Sequence, residues 1–422
     1  MQDIRGKRLL LLGSNVYKDI IKQIADAYGL VLIFAGLYPG ELDEIADEVY
    51  RIDTTNSDVM LEFIKTHQID GVYMGASELI ISSACDYINQ AGLPCICNSD
   101  QWNAIQNKKL FKQLCRRFDL PVTTEYDFQE EKILSYPVIV KPVDGCGSEG
   151  LFECLSFAEV QTAYIKARAS SKSHEVIIEE KVKNDAIYAY YTFTDGKYSL
   201  DLTEDTYGIN EQNCSFTKSI YLAPSRFDKE FIALFDSKIK SMLSSIGLHN
   251  GDLWFEVFHS NGKYFFNEAG FRPAGHKSMY PVEFFSGINQ VASLIYYSLT
   301  GEGERLRFPK LLKKQSDGKN YCIYPIHGKQ GNIKKVVINR ELYLDPRVLL
   351  VSLQRHPGDN IENENNFQGI IGFVHFSYDD IAELESIITN IENAVNIFDS
   401  SGNSLKKTYS ISLKNYNVYD EE

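Results

Sequence analysis

Residues 251–271 read GDLWFEVFHSNGKYFFNEAGF. Two apolar, aromatic-rich runs flank Asn261-Gly262, a dipeptide that two-residue hairpin loops favour because both positions need a positive φ. The stretch is therefore expected to form an antiparallel hairpin. A second one, AIYAYYTFTDGKYSLDLT, is expected to turn at Asp195-Gly196. Each arm of the first hairpin is interrupted by a carboxylate, Glu256 in one and Glu268 in the other. A two-residue turn puts Glu256 opposite Asn267, whereas a three- or five-residue loop puts it opposite Glu268. Carboxylates directly opposite each other repel. A hard cation between them reverses the sign of that interaction.

The first hundred residues follow another rule. KRLLLLG, LVLIFA and DGVYMGAS read as buried strands. Ile20, Ile21, Ile24 and Tyr28 share one helical face, and further helices fall around 60–67 and 78–90. Strands alternating with helices imply a doubly wound parallel sheet, which binds ligands outside its strand C-termini. LLGSN after the first strand lacks phosphate-loop spacing and reads as a tight turn.

From Asp100 the pattern changes. NKKLFKQLCRRFDLPV is an amphipathic helix with Leu110, Phe111, Leu114 and Phe118 on one face, stopped by Pro121. Strands YPVIVKPV, GLFECL and EVIIEEKV follow, with a helix near 157–169. A helix-rich segment covers 281–300, and GEGERLRFPK reads as a linker. The last hundred residues hold strands NYCIYPIHG, NIKKVVIN and GIIGFVHF. They also hold one helix, with Ser377 as its N-cap and Ile381, Leu384, Ile388, Ile391 and Val395 at helical spacing.

At 422 residues the chain has room for two or three domains, and 44% hydrophobic with 24% charged residues is a globular composition. A net charge of −14 argues against a nucleic-acid or membrane-surface partner, yet leaves room for a small phosphate ligand held by a few lysines. None of the eight cysteines makes a C-x-x-C pair, which reads as reduced, buried thiols of a cytoplasmic protein. The apolar run 9–12 is too short for a signal-peptide core, and no stretch approaches the ~20 apolar residues of a membrane span.

YPVIVKPVDGCGSEGLF places Gly145, Gly147 and Gly150 in a G-x-G-x-x-G pattern. A dinucleotide site needs a helix after the last glycine, and here LFECL reads as a strand. A P-loop needs a lysine there, and here Lys141 precedes the loop. What remains is a glycine-rich hairpin. Its amides can cradle phosphate oxygens beside the Lys141 charge, or it is a plain turn with a snorkelling lysine. Lys141 sits in an apolar strand, so it lies at an edge or pairs with an anion. Glu179 and Glu180 end another apolar strand. That strand end offers backbone groups to a flat base edge, or is a solvated terminus. Arg272 leaves the Glu268 strand. It is a salt-bridge partner, or it stabilises charge on a transferring phosphoryl group or tetrahedral intermediate. His276, in RPAGH, lines a substrate site or is an ordinary loop histidine. IYAYYTF and GHKSMYPVEFF are pocket walls or core. No Ser-His or Cys-His nucleophile set is evident.

Taken in order, QNKKLFKQL, VIVKP, the glycine loop, IIEEKV, FTKSIYLAP and the Glu256/Glu268 hairpin with Arg272 resemble the ATP-grasp superfamily of carboxylate–amine ligases. Its members include D-alanine–D-alanine ligases, biotin carboxylases, carbamoyl phosphate synthetases and L-amino acid ligases. The resemblance covers the whole chain and implies an α/β and α+β fold. Residues 1–98 resemble the α/β domain that precedes the ATP-grasp fold. Residues 99–304 resemble the ATP-grasp domain of two subdomains, with a lid at about 120–182. Residues 305–422 resemble the C-terminal α+β domain of L-amino acid ligases, with HPGDNI in place.

The resemblance implies that Lys108 and Lys141 hold ATP phosphates, with Lys218 a further contact, and that the loop with Gly147 and Ser148 closes over them. Glu179 and the backbone of Lys181 and Val182 would form the adenine hinge, and Asp185 would contact the ribose. Glu256 and Glu268 would bind Mg2+, and Arg272 the acyl phosphate or tetrahedral intermediate. The implied reaction joins a small-molecule carboxylate to an amine through an acyl phosphate, releasing ADP and phosphate, in a protein whose relatives suggest a homodimer. Two positions depart. The family's Glu-x-Asn-x-Arg is Glu268-Ala269-Gly270-Phe271-Arg272 here, so the asparagine position is Gly270 and one metal ligand is missing, or replaced by Asn267 or water. The glutamate after the hinge falls on Ala186. The rivals are another ATP-grasp chemistry (carboxylase or carboxylate kinase), a non-catalytic ATP-binding protein, and a dehydrogenase, which the glycine context opposes.

Overall fold

The computed structural model describes residues 2–13, 17–128, 135–145, 149–183, 185–209, 217–312 and 316–409. The parallel sheet expected near the N-terminus is present. Its strands lie in the spatial order Glu48–Tyr50, Val31–Ala35, Arg8–Leu12, Gly71–Tyr73, joined through helices Lys18–Tyr28 and Ser57–Thr66. The first strand shows why it is covered on both faces. Leu9 and Leu11 pack with Ile20, Ile21 and Ile24, while Leu10 and Leu12 pack with Met60, Phe63 and Ile81. A run buried on alternate sides must be apolar throughout. Helix Glu78–Gln90 follows and begins at the C-terminal end of the sheet.

Helix Lys108–Arg117 starts where Asn107 accepts from the Lys109 and Leu110 amides, at 3.0 and 3.1 Å. Phe111 and Leu114 are buried as expected, but Leu110 is 43% exposed, and the inward position belongs instead to Cys115 and to Lys112. The next unit is a small antiparallel sheet, in order Glu125–Tyr126, Val176–Glu180, Val138–Pro142, Phe152–Cys154. Helix Phe157–Ser170 covers it, with Val160, Ala163 and Ala167 against Val138, Val140 and Ile178.

The central antiparallel sheet runs Lys263–Gly270, Gly251–Ser260, Ala186–Thr194, Lys197–Gly208, Lys218–Ala223, Asn320–Gly328, Ile370–Tyr378, Val348–Leu353. Both expected hairpins close with two residues at positive φ: 48° and 75° at Asp195-Gly196, 52° and 70° at Asn261-Gly262. The C-terminal strands extend this same sheet through the pairing of Ala223 with Tyr321. The last helix, Ile381–Ala394, departs from expectation at both ends. Asp380 is its N-cap, accepting from the Glu383 amide at 2.8 Å. Ser377 is buried in the preceding strand, its amide bonded to the Arg347 carbonyl. Val395 already begins the strand Val395–Phe398. Among the described residues no helix is long and apolar enough to cross a membrane.

Candidate active site

The Gly251–Ser260/Lys263–Gly270 hairpin sets the site. Ser260 pairs with Lys263, so the loop has two residues, yet Glu256 pairs with Glu268 and not with Asn267. The reason is a bulge. Val257 pairs with Phe266, Glu256 with Glu268, and Asn267 is the extra residue between them. The bulge gives Asn267 a bridging role. Its Nδ2 donates to Glu256 Oε2 at 2.6 Å, and its Oδ1 accepts from Lys141 Nζ at 3.0 Å.

The two opposed carboxylates are not equivalent. Glu256 Oε1 lies 2.9 Å from Lys218 Nζ and accepts from the Tyr188 hydroxyl at 3.1 Å. Burial alone would raise its pKa, but Lys218 and the hydrogen bonds from Lys218, Asn267 and Tyr188 bring it below the ordinary glutamate value. Glu268 goes the other way. Its surroundings desolvate it and the Glu256 charge raises it further. Lys108, 3.8 Å away, offsets this only in part. About a third of the Glu268 side chain is open (35%).

In the small antiparallel sheet, Lys141 is 4% exposed and ion-paired to Glu179, which answers the question its apolar strand raised. Glu179 also accepts from Lys112 and, at 2.8 Å, from the Thr123 hydroxyl. Burial would raise Glu179, and the Lys112 and Lys141 ammoniums overcome it and hold the carboxyl well below the usual range. The Glu179 side chain is thus engaged by Lys112, Lys141 and Thr123. Lys181 pairs with Glu153 at 2.6 Å, and its amide donates to the Pro137 carbonyl at 3.2 Å. Val182 follows it, after the strand has ended. Gly147 and Ser148 lie outside the described residues, while Gly145 and Glu149 beside them line the main cavity. Asp185 is elsewhere. It pairs with Lys183, accepts from the Gly208 amide at 3.2 Å, and lines a separate cavity of about 180 Å³ with Asp205, Arg226 and His259.

The main cavity, about 610 Å³, lies between the small antiparallel sheet and the central sheet and brings together Lys108, Lys141, Lys218, Glu256, Glu268 and Arg272. Arg272 donates through Nε and Nη2 to Glu78 Oε1, at 3.0 and 2.5 Å, and its guanidinium sits 5.5 Å from the Trp254 ring centre. Glu78 comes from the N-terminal domain, and no local signal in GASE marks it. A Cβ on Gly270 would come within 2.2 Å of the Trp254 indole. The indole therefore closes the space an asparagine side chain would need, and Asn267 has both ends committed to Lys141 and Glu256. The donor set that remains, two hard carboxylates in register, would fit a hard divalent cation. Among the described residues, no group of three or more His, Cys, Asp and Glu could hold a metal ion.

The family described as D-ala D-ala ligase C-terminus matches residues 107–282. A phosphoribosylamine–glycine ligase of Rhizobium meliloti is 25% identical over 46% of this chain and 48% of its own length. A formate-dependent phosphoribosylglycinamide formyltransferase of Prochlorococcus marinus is 26% identical over 41% and 47%. The chain thus spans about half the length of the curated relatives it matches. Among solved structures, an L-amino acid ligase from Bacillus licheniformis superposes with a TM-score of 0.76 at 21% identity, covering 93% of this chain and 99% of that one. A phosphoribosylglycinamide synthetase from Anaerococcus prevotii gives 0.71 at 17%, covering 93% and 99%. The biotin carboxylase domain of a 2-oxoglutarate carboxylase from Hydrogenobacter thermophilus, solved with MgADP and bicarbonate, gives 0.71 at 16%, covering 95% and 91%.

Proposed function

We propose that this chain, an ATP-grasp protein by its fold and by the family match over residues 107–282, is an ATP-dependent carboxylate–amine ligase that releases ADP and phosphate. The observation that carries this reading is one cavity holding three lysines, two carboxylates in register and an arginine. Lys108, Lys141 and Lys218 supply positive charge for a triphosphate. Lys141 and Lys218 are already fixed by Glu179, Asn267 and Glu256, so little ordering is lost when phosphate arrives. Glu256 and Glu268 would hold Mg2+, which when bound neutralises charge on the phosphate oxygens.

Arg272 lines the same cavity, oriented by Glu78, where a substrate carboxylate or its acyl phosphate would meet a charged, planar donor. The substrate carboxylate attacks the γ-phosphorus, and an amine then displaces phosphate from the acyl carbon. The protein's contribution is to align these groups and keep water from the mixed anhydride, with the lid as the closing part. A reducing, cytoplasmic setting belongs to this reading, in keeping with eight cysteines and no C-x-x-C pair.

The test is ADP and phosphate release with Mg-ATP across pooled amino acids and other small carboxylates. Wild type is compared with Glu268→Ala and Arg272→Ala. Release that requires both an acid and an amine, and that both variants lose, is the expected result. Release that needs no amine points to a carboxylase or carboxylate kinase. ATP binding with no release in any pool points to a non-catalytic binder.

A further inference from the structure

We propose that His276 is the base that takes the proton from the incoming ammonium, with Glu204 and Tyr190 as its positioning residues. This rests on the ligase reading above. His276 is 5% exposed and lines the main cavity with Tyr188 and Tyr221. Its ring stacks on Tyr221 with centres 4.3 Å apart and planes at 18°, and meets Tyr188 edge-on at 5.7 Å. Tyr188 in turn donates to Glu256. The imidazole is therefore one aromatic ring away from the opposed carboxylates.

The far side of the imidazole is wired to a buried acid. Nε2 lies 2.7 Å from the Tyr190 hydroxyl and 3.5 Å from Glu204 Oε2, and that hydroxyl donates to the same Oε2 at 2.7 Å. A phenol has one proton. With it given to Glu204, the tyrosine oxygen can only accept from His276, so Nε2 carries the hydrogen. Nδ1 is left with a free lone pair and no hydrogen-bond partner among the described residues. Glu204 is wholly buried, its Oε1 has no hydrogen-bond partner, and His276 is its one ion-pair partner among the described residues. A buried, under-compensated carboxylate favours a positive charge beside it, and the imidazolium formed by proton capture supplies one.

The other ionisable groups around the ring are the Tyr188, Tyr190 and Tyr221 phenols, Lys277 and Arg272 on its own segment, and His375 from the C-terminal strand. Burial of the phenols raises them far out of the working range. Burial, with Lys277 and His276 nearby, keeps His375 neutral. Arg272 is committed to Glu78.

The step balances. The ammonium gives one proton to Nδ1, and the freed nitrogen lone pair forms the C–N bond at the acyl carbon. The C–O bond to phosphate breaks, and phosphate leaves with that electron pair and takes the second nitrogen proton as hydrogen phosphate. His276 returns its proton to water.

Two nucleophiles separate this role from a structural one. Hydroxylamine is largely neutral at neutral pH and needs no proton removed before attack, whereas the amines of pooled L-amino acids do. His276→Gln is expected to lower kcat with the amino acids by about 10²–10⁴-fold. Hydroxamate formation from the same acids should stay within a few-fold of wild type, with KM for ATP unchanged. In wild type the amide-forming rate should fall on the acid side, because a protonated base cannot take the ammonium's proton. Glu204→Gln should move that limb to lower pH, because it removes the charge that favours the imidazolium, and this variant carries the test if His276→Gln fails to fold. Equal loss with both nucleophiles, no loss with either, or an unmoved limb in Glu204→Gln overturns the inference. Wild-type protein that forms no hydroxamate from any acid overturns the ligase reading beneath it.

Discussion

Two charged clusters border the same cavity in opposite electrostatic states. At the small antiparallel sheet, one carboxylate, Glu179, sits between two ammoniums, Lys112 and Lys141, and all three side chains are 5% exposed or less. In the central sheet, two carboxylates face each other in register. Glu256 is satisfied, but the one ion-pair partner of Glu268 among the described residues is Lys108, 3.8 Å away. The first cluster holds an anion that its neighbours fully compensate, so it acts as a scaffold that fixes Lys141. The second holds an excess of negative charge open to the cavity, so it has something left to bind. Buried charge identifies a site only where the compensation is incomplete.

The comparison breaks most visibly at Glu179. Glu179→Ala leaves two buried lysines without their anion and should cost about 3–5 kcal/mol, read from the urea midpoint. Its depressed pKa fixes the sign of the pH dependence. The stability it contributes is fully present above the ordinary glutamate value of about 4.3 and is lost as pH falls from there toward the folded value. Acid titration of stability in the milder variant Glu179→Gln should lack that component.

Gly270→Ala should cost about 1–3 kcal/mol, because the added methyl meets the Trp254 indole. Combining it with Trp254→Ala should cost less than the sum of the two single changes.

Glu268→Gln should do the reverse of Glu179→Ala. It removes a repulsion, so the urea midpoint should hold or rise, while the Mg2+ dependence of ATP binding measured by calorimetry disappears. Because burial and Glu256 raise Glu268, protons should compete with Mg2+ at a higher pH than an ordinary glutamate would allow. The smallest effect belongs to Lys181→Ala. Its ion pair with Glu153 is about 30% exposed on both sides, and its loss should change stability by about 0–1 kcal/mol.

Features encoded locally were readable in the sequence. Asn261-Gly262 and Asp195-Gly196 announce their turns, the 9–12 run announces a strand covered on both faces, and a lysine in VIVKP narrows to two choices, a sheet edge or an anionic partner. Features that depend on distant residues were not. Nothing within 138–142 says that the partner is Glu179, or that Lys112 shares it. The bulge at Asn267 escapes because turn type and strand alternation both assume one residue opposite one, and a single inserted residue satisfies neither. Gly270 reads as a lost ligand until Trp254, sixteen positions earlier, is seen filling the space. Ser377 has an N-cap's chemistry, but its amide is used by the strand, and Asp380 takes the cap. Glu78 and Glu204 carry no signal in their own segments. Arg272 and His276 give each of them a role only once the chain has folded.

The most direct test of the account is the fate of oxygen. Pooled amino acids labelled with ¹⁸O in the carboxyl group would be incubated with the protein, Mg-ATP and amine, and the released phosphate analysed by mass. Attack of the carboxylate on the γ-phosphorus, followed by displacement at the acyl carbon, carries one labelled oxygen into each phosphate. That is the predicted result, and it should vanish in Glu268→Gln. Phosphate released without label would mean that water, not a substrate carboxylate, takes the phosphoryl group, and would contradict the ligase mechanism.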